Sequence, residues 1–75
     1  MMPTGRVKFW KRCVHDKPYG FITPDAPNEV DLYFDNRALV DKTYVPQRDD
    51  RVQFGRGPKG RYAKYVEPIT EGMKP

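Results

Sequence analysis

Apolar side chains in this chain recur at every second residue, in short runs, and no helix-period stretch of useful length is present. Val30, Leu32 and Phe34 alternate with Asp31 and Tyr33, and Val52 and Phe54 alternate with Arg51 and Gln53. A period of two marks a strand that puts one face on a core and the other in water. Gly, Pro, Asn and Asp punctuate the runs, as turns require. Five strands are predicted, over 5–13, 18–23, 30–34, 51–54 and 61–66. The 75 residues leave room for one domain, and a chain this short buries little of its surface. A sheet closed on itself leaves no long open edge, so an all-β barrel is the expectation.

Taken in order, Gly5 to Cys13 is the first strand, with Val7 and Phe9 on one face and Lys8 and Trp10 on the other. A bulge would shift that assignment. Lys11 to Pro18 is a polar connection, and Pro18, lacking an amide donor, belongs at a strand's beginning or edge. Thr23 to Glu29 is a turn. Val30, Leu32 and Phe34 point inward and Asp31 and Tyr33 outward; beyond them Asp35 to Leu39 reads as a cap and one short helical turn. Val40 to Asp50 is a long loop carrying Tyr44, and loops of that length in small domains are commonly functional or mobile. Val52 and Phe54 face inward, Gly55 to Gly60 is a glycine-rich basic turn, and Glu67 to Pro75 frays.

The net charge of +4 is unevenly spread. Arg6, Lys8, Lys11, Arg12 and Lys17 gather near the start, and Arg56, Lys59, Arg61 and Lys64 late in the chain. Asp25, Glu29, Asp31, Asp35, Asp41, Asp49 and Asp50 make the middle acidic. Cations from both ends of a small barrel can converge into a field that attracts phosphates. Mixed charge that merely keeps a small domain in solution is the plainer alternative. A single cysteine, Cys13, excludes an internal disulfide and points to a reducing compartment. With the single His15 it cannot build a zinc site. No apolar run approaches the roughly 18 residues of a membrane span, and Met-Met-Pro-Thr-Gly lacks the apolar core of a secretion signal.

Lys17-Pro18-Tyr19-Gly20-Phe21-Ile22-Thr23-Pro24 carries the chemistry. On a strand Tyr19 and Phe21 share one face while Gly20 and Ile22 take the other. Glycine and isoleucine make a poor solvent face, so the aromatic pair is the outer one. Rings side by side in water call for a ligand, and every nucleobase has a π-face to lay on them.

Together Gly5-Arg-Val-Lys-Phe-Trp10, Lys17 to Pro24 and Val30-Asp-Leu-Tyr-Phe34 resemble the cold-shock domain, in order and in approximate spacing, over about residues 4–67. The middle block resembles the family's first ribonucleoprotein motif and is the specific one. The third block resembles the second motif. The resemblance implies a five-stranded antiparallel Greek-key barrel of the OB-fold type, binding single-stranded RNA or DNA by stacking. It matches Tyr19 and Phe21 to the first motif's aromatics, Tyr33 to a histidine and Phe34 to a phenylalanine of the second, and Lys8 to the first strand's lysine. Phe9 stands where the family has tryptophan, Trp10 where it has phenylalanine, and Tyr44 near the loop aromatic. Asp31 departs from the family by replacing a phenylalanine, Pro18 by replacing a glycine.

The expectation is thus a domain over 4–67 with a flexible 68–75 tail, cytoplasmic and non-enzymatic. No cofactor, metal, membrane or small-molecule substrate is expected, and the state is monomeric, with a dimer left open. Lys8, Lys17 and Arg61 are the candidate phosphate contacts. Phe9, Trp10, Tyr19, Phe21, Tyr33, Phe34 and Tyr44 are the candidate ring contacts, while Tyr62 fits either face. RNA chaperoning and control of transcription or translation are the tasks implied. The alternative is an OB-fold protein-interaction module whose acidic middle meets a basic partner.

Overall fold

A computed structural model describes residues 3–12, 17–57 and 60–69. Five strands form: β1 (Thr4–Lys11), β2 (Tyr19–Pro24), β3 (Leu32–Asp35), β4 (Arg51–Arg56) and β5 (Ala63–Pro68). A 3-10 turn, Asn36–Ala38, follows β3. The strands make one sheet in the order β3-β2-β1-β4-β5, every neighbouring pair antiparallel. The sheet curls so that its two edges touch at isolated bridges. The Tyr33 amide donates to the Arg61 carbonyl at 2.8 Å, and the Val40 amide to that of Val66 at 3.0 Å. The result is a curled half-barrel with the core inside the curl.

That core is Val7, Ile22, Leu32, Phe34, Val52, Phe54 and Val66, all fully buried, completed by Ala38, Leu39 and Ala63. Alternation explains the set: Ile22, Leu32 and Phe34, Val52 and Phe54 are the inward members of their runs. Asp35 closes β3 by capping the 3-10 turn, its carboxylate accepting from the Arg37 amide at 3.1 Å. Val30 departs from the expected pattern. It precedes β3 rather than beginning it, and stays 53% exposed.

β1 holds the larger surprise. Its register against β2 passes from Val7↔Ile22 to Phe9↔Phe21, so Lys8 is an extra residue on β1. Such a bulge reverses the sidedness of everything beyond it. Val7 remains inside, Phe9 moves to the outer face and Trp10 turns toward the core, the opposite of plain alternation. β5 bulges too, from Gln53↔Glu67 to Gly55↔Lys64, with Tyr65 at φ 56° in the left-handed region. β5 also runs later than predicted. Pro68 pairs with Val52, so Glu67 and Pro68 belong to the sheet rather than to a tail, and the Ile69 amide still donates to the Arg51 carbonyl at 2.9 Å. Residues 70–75, Cys13, His15 and Lys59 lie outside the described residues. Among the described residues no helix is long and apolar enough to cross a membrane.

Candidate functional site

The bulge assembles a continuous group of rings on the outer face of β1, β2 and β3. Phe9 lies 5.4 Å from Phe21 and 6.1 Å from Tyr19, centroid to centroid. Tyr33 lies 6.0 Å from Tyr19 and 5.9 Å from Phe21. Beyond it Tyr62, just before β5, stacks on Tyr33 at 5.9 Å and 28°. Phe9, Tyr19, Phe21 and Tyr62 are half-buried and Tyr33 is exposed; none belongs to the core. The rings hold one another in edge-to-face and offset arrangements, which aromatic quadrupoles favour.

Three expected ring contacts fall elsewhere. Phe34 is fully buried, because inward sidedness on β3 and a place at the centre of the curl leave it no surface. Trp10 packs on it, ring centroids 5.0 Å apart, on the core side to which the bulge sends it. Gly20 is what admits that indole. A Cβ there would lie 2.2 Å from the Phe9 carbonyl, 3.1 Å from Trp10 and 3.2 Å from Phe34. Tyr44 also packs against the core, and its hydroxyl donates to Asp50 at 2.7 Å, which fixes the long loop. Burial and that carboxylate push the Tyr44 phenol far above its ordinary range. Trp10 and Tyr44 line a separate groove of about 230 Å³.

Polar groups bound the rings at both ends. At one end Lys8 donates to Asp31 at 2.9 Å, and the Thr23 hydroxyl donates to the same carboxylate at 3.0 Å. The Lys8 bond, seconded by Thr23 and opposed by burial, holds Asp31 below the usual carboxylate range. At the other end Lys11 sets its ammonium 5.7 Å from the centre of the Phe9 ring. Lys17 and Arg37 line a cleft of about 390 Å³ with Tyr33, Asp35 and Asn36. Arg61 is exposed next to Tyr62, and its carbonyl serves the Tyr33 amide.

Three acids of the middle segment face cations of this chain. Asp25 pairs with Arg51 at 2.9 Å, Glu29 with Arg56, and Asp31 with Lys8. Thr4 and Arg51 together lower the Asp25 pKa. One connection between β2 and β3 therefore meets cations from β1 and β4.

Tyr62 is the ring contact that sequence reading left unassigned. Its hydroxyl donates to Asp35 at 3.3 Å, and Asp35 is clamped in turn by Arg37 at 3.0 Å. Burial, then Asp35, raises the Tyr62 phenol. Its side depends on where β5 begins and on a parallel bridge to Tyr33, a long-range pairing with no local signature. Stacked rings flanked by cations can hold flat π-systems joined by anionic links. Among the described residues no group of His, Cys, Asp and Glu could hold a metal ion. No family model and no curated protein matches the chain.

Proposed function

We propose that this chain is a cold-shock-type OB domain that binds single-stranded RNA or DNA, laying bases on Phe9, Tyr19, Phe21 and Tyr33. One observation carries the reading: a contiguous set of rings on the outside of a small sheet, outside the core and bordered by lysines. Base–aromatic stacking contributes about 1–3 kcal/mol per base. Several platforms give a Kd between micromolar and nanomolar once ordering costs are met. Stacking engages ring faces rather than base edges, so most sequences are tolerated, and an unpaired strand held this way suits RNA chaperoning or control of transcription or translation. The order β3-β2-β1-β4-β5, with β3 and β5 touching, accommodates a Greek-key path.

The protein-interaction alternative relied on acidic residues offered to a basic partner. Asp25, Glu29 and Asp31 instead face cations of this chain, which favours the nucleic-acid reading. The test is anisotropy of a labelled mixed-sequence heptamer, as DNA and as RNA. Tyr19→Ala with Phe21→Ala weakens binding more than tenfold while the circular dichroism of the folded sheet persists. Unchanged affinity in a folded double variant refutes stacking. Affinity also falls as salt rises, with a slope that reports the phosphates contacted.

A further inference from the structure

Asp31, Lys8 and Thr23 stand one step beyond the ring platform, on its own face. Phe21 pairs with Tyr33 across β2 and β3; Thr23 lies two residues past Phe21 on β2 and shares its outer face, and Asp31, just before β3, is held at that face by the bond from the Thr23 hydroxyl. Lys8 reaches the same place from the bulge in β1. A base stacked on Phe21 or Tyr33 has its edge next to this cluster.

The hydrogen-bonding capacity left over is specific. An ionised carboxylate accepts at about four lone-pair sites and an ammonium donates three protons. Asp31 receives one bond from Lys8 and one from Thr23, and Lys8 gives one. Two acceptor sites on Asp31 and two donors on Lys8 remain, side by side, with the Asp31 side chain 31% exposed. Guanine alone among the common bases presents two adjacent donors, N1–H and N2–H, beside an acceptor, O6. Uracil and thymine offer a single donor between two carbonyls that repel a carboxylate. Cytosine and adenine offer one amino group next to a bare ring nitrogen.

We propose that Asp31 and Lys8 form a guanine-reading subsite at the end of the ring platform, Asp31 accepting from N1–H and N2–H while Lys8 donates to O6. The inference rests on the single-strand reading above. It adds to sequence-tolerant stacking one position where a base edge is read, as happens on unpaired strands. The low Asp31 pKa keeps the carboxylate charged through the neutral range.

The test compares an all-thymidine DNA heptamer with versions carrying one central guanine or one central inosine, the latter lacking the N2 amino group. A bidentate base contact corresponds to a preference of about tenfold. The guanine heptamer therefore binds about tenfold more tightly than the thymidine one, and inosine forfeits most of that gain. In Asp31→Asn, whose amide offers only one acceptor, the guanine-to-thymidine ratio collapses toward one. Equal binding of the three heptamers by the unaltered protein overturns the subsite and leaves stacking intact. Absence of binding to any heptamer overturns the single-strand reading itself. The inosine comparison needs no substitution, so the outcome does not depend on a variant folding.

Discussion

Two sets of aromatic rings lie on opposite sides of the same three strands, and they do different work. Over Gly20, Trp10 packs on Phe34 with the rings tilted by 30°, half-buried against the core to which Phe34 belongs. Phe9, Tyr19, Phe21 and Tyr33 touch mainly each other and keep part of their surface in water. Composition does not separate the sets; neighbours in the chain, such as Phe9 and Trp10, fall into different ones. Sidedness decides whether a ring packs on the core or lies on the outer face, where the proposed bases would stack.

The comparison breaks most visibly at Phe34. Emptying a fully buried phenylalanine costs about 3–5 kcal/mol, against a total of roughly 5–15 kcal/mol for native domains. Urea denaturation of Phe34→Ala therefore shows a midpoint lowered by a large fraction of its original value, whereas Phe21→Ala retains most of its stability. Equal losses in the two variants erase the distinction between the sets. Next comes Gly20→Ala, whose added methyl collides with the Phe9 carbonyl and crowds Trp10. Overpacking of this kind costs about 1–3 kcal/mol, and the same denaturation reads it. A neutral Gly20→Ala would mean that the indole does not seat as described.

Much of this was legible in the chain. Ile22, Leu32, Phe34, Val52 and Phe54 announce their inward side by alternation within short strands, and Asp35 announces its cap. Tyr19 and Phe21 separate from Gly20 and Ile22 for the same reason. Phe9 and Trp10 did not yield, because an extra residue at Lys8 inverts sidedness and only the pairing with β2 reveals it. Val30 carries a strand-like neighbourhood but stays outside β3, so its alternation has no sheet to act on. Asp31 could be seen as an intruder among aromatics, yet its bonds to Lys8 and Thr23 required the approach of strands far apart in sequence.

Polar contacts sharpen the comparison further. Tyr44→Phe removes the hydroxyl bonded to Asp50, at a cost of roughly 1.5–3 kcal/mol for a bond to a charged group. Heat denaturation registers that loss, while heptamer affinity stays at its original value because Tyr44 stands apart from the outer rings. A drop in affinity would return Tyr44 to the ligand face. The slightest effect concerns acid. Asp25 and Asp31 titrate below their ordinary value of 3.8 in the folded chain. Their contribution is present in full above that value and is lost as pH falls through the lower folded pKa. Stability is therefore level near neutrality and declines below about pH 4. Asp31→Asn flattens part of that decline in an acid titration followed by circular dichroism, and an unaltered acid limb would remove Asp31 from the balance.

The extra residue at Lys8 leaves Phe9 and Trp10 differing by a reading frame of one along a single strand. Straightening the bulge with Lys8 kept would exchange their places, sending the indole out to the solvent and the phenyl ring in, whereas loss of Lys8 would leave both where they are. Because the two are consecutive and both aromatic, either frame supplies a flat ring to each surface. The doublet is thus a form of insurance against slippage, a redundancy that a lone tryptophan at this point would lack.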